Sequence, residues 1–113
     1  MEMKKDIKIA DDVINMIAGI AATSVDGVLS LGEGMTFKNI PFIGTKNLKK
    51  GITILRNDED NEIIIKTIIS LKNGSDVKKT CVNVQEKIKE SIESMLDIKV
   101  REVVVKVAKI NDV

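Results

Sequence analysis

Two apolar runs, KGITILRN at residues 50–57 and NEIIIKTIISLK at 61–72, decide the fold of this chain. They lie on either side of the polar tract NDEDN, and β-branched runs that flank a polar turn are typical of an antiparallel hairpin. Alternation along the second run gives one almost wholly apolar face, made of Ile63, Ile65, Thr67, Ile69 and Leu71. The other face is mixed, with Ile64, Lys66, Ile68 and Ser70, which predicts partial cover on that side.

One helix is predicted on each side of this hairpin. Asp11 and Asp12 are good helix-starting residues, and the apolar residues after them recur at helical spacing: Val13, Ile14, Ile17, Ile20 and Ala21. The Asp26-Gly27 turn ends this helix near residues 24–26. After the hairpin, Ser75 or Asp76 can cap a long amphipathic helix with the apolar stripe Val77, Cys81, Val84, Ile88, Ile92 and Met95.

Three more strands complete the predicted order. They are IKIA at 7–10, the run containing Val28, Leu29 and Leu31, and VREVVVKVAKI at 100–110, with Val103, Val105 and Val107 on one face. The order β-α-β, long loop, β-β-α-β predicts an α+β fold in which two helices cover a small mixed β-sheet. At 113 residues the chain fits a single domain, 1–113.

Composition excludes several classes of protein. With 43% hydrophobic and 31% charged residues, the chain is typical of a soluble globular domain without direct membrane insertion. The 18 basic and 17 acidic residues leave no excess of charge that would attract nucleic acid or anionic lipid. The N-terminus lacks a secretory pattern and there is one cysteine, so a cytoplasmic location is expected.

The residues that could carry catalysis are scarce. Without histidine there is no imidazole base and no histidine metal ligand, and Cys81 lies on an apolar stripe where cysteine behaves as an inert hydrophobic residue. The acidic group Asp58, Glu59, Asp60 and Glu62 is more typical of a solvated turn than of a calcium loop. We therefore predict no enzyme activity, no catalytic residue, no metal and no cofactor.

The segment GMTFKNIPFIG at 34–44 contains both phenylalanines and the only proline of the chain. Its large apolar residues are the candidate partner-binding residues: Met35, Phe37, Ile40, Phe42 and Ile43. Buried together, they would contribute on the order of 10 kcal/mol, so they are expected to be covered. Two accounts remain open. Either the segment folds over the open face of the hairpin and completes the core, or it docks into a partner or a second copy.

Several short motifs follow one another along the chain: V-x-G-V (Val25, Gly27, Val28) after the alanine-rich first helix, K-G-I (Lys50, Gly51, Ile52), V-Q-x-x-I (Val84, Gln85, Ile88) and a last strand of alternating valines. In their order and spacing they resemble the alkaline-shock family of bacterial envelope-stress proteins, also called the Gls-type general stress family. The resemblance covers nearly the whole chain. It implies a small non-enzymatic protein that self-associates and, in some members, is held at the cytoplasmic face of the membrane by a small integral membrane partner.

The resulting functional hypothesis is an envelope-stress structural or adaptor protein that binds copies of itself and a protein partner. The valine-rich last strand, if it is at a sheet edge, is the candidate for self-association. One alternative is an RNA-binding module using Lys46, Lys49 and Lys50, although the chain has only two arginines and few aromatic residues for stacking on bases. The other alternative is a protein regulator of a metabolic enzyme.

Overall fold

Two helices and four strands follow one another in residues 8–32, 51–57 and 61–111, which are the residues described by a computed structural model. In chain order they are α1 (Asp11–Ser24), β1 (Val28–Leu31), β2 (Ile52–Asn57), β3 (Glu62–Lys72), α2 (Val77–Leu96) and β4 (Lys99–Asn111). This arrangement confirms the predicted α+β fold with two helices and a mixed sheet.

The strand predicted before α1 is wrong over residues 8–10, which have no regular structure, and Ile7 lies outside the described residues. Ala10 is the N-cap of α1 and the Ile9 carbonyl accepts a hydrogen bond from the Arg56 guanidinium. These residues therefore hold the helix end against β2. Alternation over four residues could not distinguish this short connection from a strand.

β3 is the central strand of the sheet. One edge pairs in parallel with β4 from Glu62 to Lys72. Because β4 occupies that edge, the two antiparallel neighbours share the other: β2 pairs with residues 62–67 and β1 with residues 69–71. The hairpin prediction is confirmed by the β2–β3 pairing, in which Ile54 lies opposite Ile65.

The junction between β1 and β2 lies at Ile68. The Ile68 carbonyl accepts from the Gly32 N–H and the Ile68 N–H donates to the Gly51 carbonyl, both at 2.7 Å. A Cβ on Gly51 would lie 3.0 Å from the Gly32 nitrogen and 3.1 Å from Leu31 Cβ. This close backbone approach explains why the residue that precedes β2, Gly51, is a glycine.

The hydrophobic core lies between the helices and one face of the sheet. The predicted apolar face of β3 is buried throughout, from Ile63 to Leu71. α1 covers β1 and β2, while α2 packs beside it against β4. From the helices, the residues with no exposed surface are Ile14, Ala18, Ala22, Val84, Ile88 and Ile92.

Several predicted core positions of the helices are exposed instead. α1 packs against the rest of the domain through small buried residues such as Ala18, Gly19 and Ala22, so its larger Val13 and Ile20 point away from the core. In α2, Val77 and Met95 lie near the helix ends and are exposed, whereas Thr80 is buried. The Asp76 carboxylate caps this helix by accepting from the Lys79 N–H at 3.1 Å, as predicted.

Replacing Gly51 by valine should destabilise the protein by about 1–3 kcal/mol, because the new side chain would overlap the Gly32 backbone and Leu31 Cβ. The measurement is the urea midpoint of Gly51→Val. Thr53→Val, at an exposed position of the same strand, is the matched control and should leave the midpoint almost unchanged. Equal midpoints for the two variants would contradict the close approach.

Candidate interaction surfaces

The candidate partner-binding residues predicted from the sequence lie outside the described residues: Met35, Phe37, Ile40, Phe42 and Ile43. Their role stays a prediction. The same holds for the lysines and acidic residues considered above, namely Lys46, Lys49, Lys50, Asp58, Glu59 and Asp60. Glu62, the remaining member of that acidic group, lies 3.6 Å from the Lys99 ammonium across the β3–β4 pair.

The outer side of α1 carries an exposed apolar stripe. Val13, Met16 and Ile20 are 43%, 45% and 53% exposed, and their spacing of three and four residues places them along one side of the helix. This side lies opposite the buried residues Ala18 and Ala22. α1 is therefore apolar on both its inner and its outer side, a pattern usual for helices that are covered all round.

Within α1, charge is confined to the N-terminal end of the helix. Residues 13–24 include no charged side chain. Asp11 and Asp12 occupy the first turn, where carboxylates interact favourably with the helix dipole. The Arg56 guanidinium donates to the Asp11 carboxylate at 2.7 Å and also to the Ile9 carbonyl. By contrast, the outer side of α2 bears charged residues, including Lys79, Glu86, Lys87 and Glu90.

β4 presents its outer edge beside α2. The Lys99 N–H donates to the Asn61 carbonyl, towards β3, so the next N–H, that of Val100, faces the outer edge. It donates there to the Glu93 carboxylate at 2.9 Å. The Gln85 amide donates to the Val103 carbonyl, also at 2.9 Å. Two polar side chains of α2 thus cap backbone groups in the first half of the edge.

The second half of the β4 edge has no such cap among the described hydrogen bonds. Val103 is buried and Val105 and Val107 are half-buried, whereas Val104 and Lys106 between them are exposed, so the three valines predicted to share one face do so. In the described part of the chain, β4 pairs only with β3. The prediction that this strand lies at a sheet edge therefore holds there.

The open face of the sheet is mixed, as predicted. Ile64 and Ile68 are half-buried, while Lys66 is exposed. Leu55 and Val104 from the neighbouring strands are 45% and 38% exposed on the same face, since they pair with Ile64 and Lys66 respectively. Along β3, the exposed Lys66 lies between Ile64 and Ile68 on this face.

Among the described residues, the candidates for chemistry are Cys81 and the acidic side chains. Cys81 is half-buried, and this burial raises the pKa of its thiol, which disfavours the nucleophilic thiolate at neutral pH. Within residues 8–32, 51–57 and 61–111, no three acidic or cysteine side chains are grouped to hold a metal ion. A shallow depression of about 410 Å³ is lined by Asn61, Glu93, Asp97, Ile98 and Lys99, where the Glu93 carboxylate is already bonded to Val100.

Comparison with protein families gives a match over residues 1–112 to the alkaline shock protein 23 family, which is described as having a cell envelope-related function. The chain belongs to this family. The match spans both helices and the whole sheet, so the resemblance found in the short sequence motifs is confirmed.

Two similar bacterial proteins are themselves described as uncharacterized. YqhY of Bacillus subtilis (strain 168) is 29% identical over 86% of this chain and 70% of its own length. Spy1614 of Streptococcus pyogenes serotype M6 is 28% identical over 81% of this chain and 76% of its own length. A solved structure of a MamM CTD variant aligns with 89% of this chain and 96% of its own, with a TM-score of 0.54 and 13% identity, which shows a shared fold.

Neither helix in the described portion of the chain combines the length and apolar character needed to cross a membrane. α1 has 14 residues and carries exposed apolar side chains on its outer side. Sequence reasoning assigned Val13 and Ile20 to the core and missed this stripe. The signal that could have revealed it is the lack of charge in residues 13–24.

Replacing Cys81 by alanine should lower the free energy of unfolding by no more than about 1 kcal/mol, because a half-buried thiol leaves only a small cavity. Self-association and partner binding should be unchanged. The measurements are chemical denaturation and sedimentation of the two proteins. A folded Cys81→Ala protein that had lost all function would show that the thiol has a chemical role.

Proposed function

We propose that this protein is a non-enzymatic adaptor that associates with copies of itself and binds a protein partner at the cytoplasmic face of the cell envelope. The family's cell envelope-related function supports the setting. The observation that carries the proposal is the apolar stripe of Val13, Met16 and Ile20 on the outer side of α1. An uncharged helix side of this kind favours docking over solvation.

The chemistry around the stripe favours a protein over an anionic lipid surface. Helices that bind at membrane surfaces carry lysine and arginine beside their apolar side. Here the helix begins with Asp11 and Asp12, and the Arg56 side chain that lies nearby is paired with Asp11. The proposed partner therefore presents an apolar surface, with basic or neutral polar groups facing this end of α1.

The α1 stripe is small, so binding of a partner through it would depend on self-association. Covering the exposed half of three large side chains would contribute roughly 2–4 kcal/mol, which corresponds to a dissociation constant of about 1 mM or weaker. Such a contact is too weak alone at cellular concentrations. Several copies held together would bind a multivalent or clustered partner far more tightly through effective concentration.

Burial raises the pKa of the Cys81 thiol, which argues against a nucleophilic role for this one residue. An RNA-binding role is disfavoured further by Arg56, whose guanidinium is bonded to Asp11 and Ile9. A regulator of a metabolic enzyme would use the same kind of contact surface. The identity of the captured partner distinguishes that role from an envelope adaptor.

The double variant Met16→Lys with Ile20→Lys should stay folded, because both side chains are about half exposed, and should lose its partner. The measurement is affinity capture from membrane and soluble fractions, with denaturation midpoints recorded in parallel. The matched control is Val82→Lys with Met95→Lys, which adds the same charges at exposed apolar positions of α2. The control should retain the partner.

If the α1 variant and the control captured the same proteins in equal amounts, the stripe would have no docking role. Capture of soluble metabolic enzymes alone, with nothing from the membrane fraction, would favour the regulator instead.

A second proposed contact is the sequence-predicted set Met35, Phe37, Ile40, Phe42 and Ile43. The variant Phe37→Ser with Phe42→Ser distinguishes the two accounts of this segment. A loss of several kcal/mol in the free energy of unfolding indicates core residues, whereas intact stability with lost binding indicates a docking segment. Unchanged stability together with unchanged capture and self-association would contradict both accounts.

A further inference from the structure

The outer edge of β4 is regular over only six residues. Its pairing with β3 shifts between Val100 and Glu102, and again between Val107 and Lys109, so that Arg101 and Ala108 are the extra residues of two β-bulges. Between them, residues 102–107 pair with 64–69 without interruption. Bulges interrupt the pairing of a further strand, so an added strand has this window and little beyond it.

The direction of the backbone groups in this window follows from the capped residues. The Val100 N–H and the Val103 carbonyl both face outward, since each bonds to a side chain of α2. Successive residues alternate, so Val103, Val105 and Val107 direct their backbone groups outward, while Glu102, Val104 and Lys106 direct theirs towards β3. The side chains of those last three residues share the open face, opposite Ile64, Lys66 and Ile68.

Charge along this window is self-complementary. In an antiparallel pair of two β4 strands related by a two-fold axis at Val104, Glu102 of each copy lies opposite Lys106 of the other. Shifting the axis to Val105 places Lys106 opposite Val104 instead. Shifting it to Lys106 places the two lysines opposite each other, which is repulsive. Only the first of these three registers pairs both charges of the window.

We propose that a second copy of this chain adds to the sheet along residues 102–106 of β4, antiparallel and with Val104 at the two-fold axis. The inference rests on the proposed self-association and specifies its interface. Val103 of each copy exchanges backbone hydrogen bonds with Val105 of the other. The Val103 carbonyl also keeps its bond from Gln85, because a carbonyl oxygen has two lone pairs.

The Glu93 cap helps to limit this register. Glu93 occupies the Val100 N–H, so an incoming strand cannot extend its pairing to that end of β4. The side chain of Val104, 38% exposed, would meet its own counterpart across the axis. A second copy is favoured over an unrelated strand, because an antiparallel copy of the same sequence places an opposite charge across from both Glu102 and Lys106.

Disulfide formation at the axis tests the register. Val104→Cys, in a Cys81→Ala background, places two thiols in a non-hydrogen-bonded pair whose Cα atoms are about 4.5 Å apart, a separation that a disulfide can bridge. Mild oxidation should convert this variant to a covalent dimer. Lys106→Cys and Thr53→Cys are controls at exposed positions of the same sheet face and should remain largely monomeric on a non-reducing gel.

Charge reversal provides an independent measurement. Glu102→Lys alone turns two attractive pairs into repulsive ones and should weaken the dimer roughly tenfold or more at low salt. The exchange Glu102→Lys with Lys106→Glu restores opposite charges in both pairs and should restore dimerisation. Sedimentation of the reduced proteins measures both effects.

The outcomes separate this inference from the proposed function. If the unaltered chain associates, but Val104→Cys does not cross-link faster than its controls and the charge exchange restores nothing, the register is wrong while self-association stands. If the unaltered chain is monomeric at tens of micromolar, self-association fails, and this interface fails with it.

Discussion

The architecture depends on β3 being paired along both edges and covered on one face. Its 11 residues are longer than either β1 or β2, so one edge needs two antiparallel strands placed end to end, while β4 alone spans the other. The buried side chains of this strand, Ile65, Ile69 and Leu71 among them, contribute about 1.5–3 kcal/mol each. That burial requires both helices on the same face, because neither helix alone covers the full width of the sheet.

This central strand also fixes where the surfaces lie. α1 covers the β1 and β2 side and α2 the β4 side, so α2 is placed where Gln85 and Glu93 reach the outer backbone of β4. α1, which packs inward through small residues, is left with Val13, Met16 and Ile20 on its outer side. The proposed partner surface and the proposed copy-to-copy surface are thus on different elements. An adaptor could use both at once, and the weak contact expected of the α1 stripe would gain from an assembly formed through β4.

The capped edge of β4 shows how a protein can limit strand addition without abolishing it. Bulges and polar side chains at edges are devices against uncontrolled sheet growth. In β4 two bulges and the Glu93 cap lie at the ends of a short regular window, and the charges in the window match only one of the two-fold registers compared. A valine-rich strand of 13 residues would otherwise be an aggregation hazard. In the proposed dimer, Glu93 therefore has a role in specificity as well as in the stability of the α2–β4 contact.

The sequence by itself determined most element types, the hairpin, the buried face of β3 and a helix cap at Ser75 or Asp76, because each depends on local periodicity or on a side chain beside its own helix. It also determined the family, through motifs spread along the chain. Only the tertiary structure decided that Val13 and Ile20 face outward, since both sides of α1 are apolar and the packing of Ala18 and Ala22 selects the inner one. Likewise, no local pattern distinguishes Gln85 and Glu93 from other polar residues of α2. Their bonds to β4 depend on how helix and strand lie relative to one another. The close approach of Gly51 to Gly32 also depends on the tertiary structure, because both residues pair with Ile68 of β3.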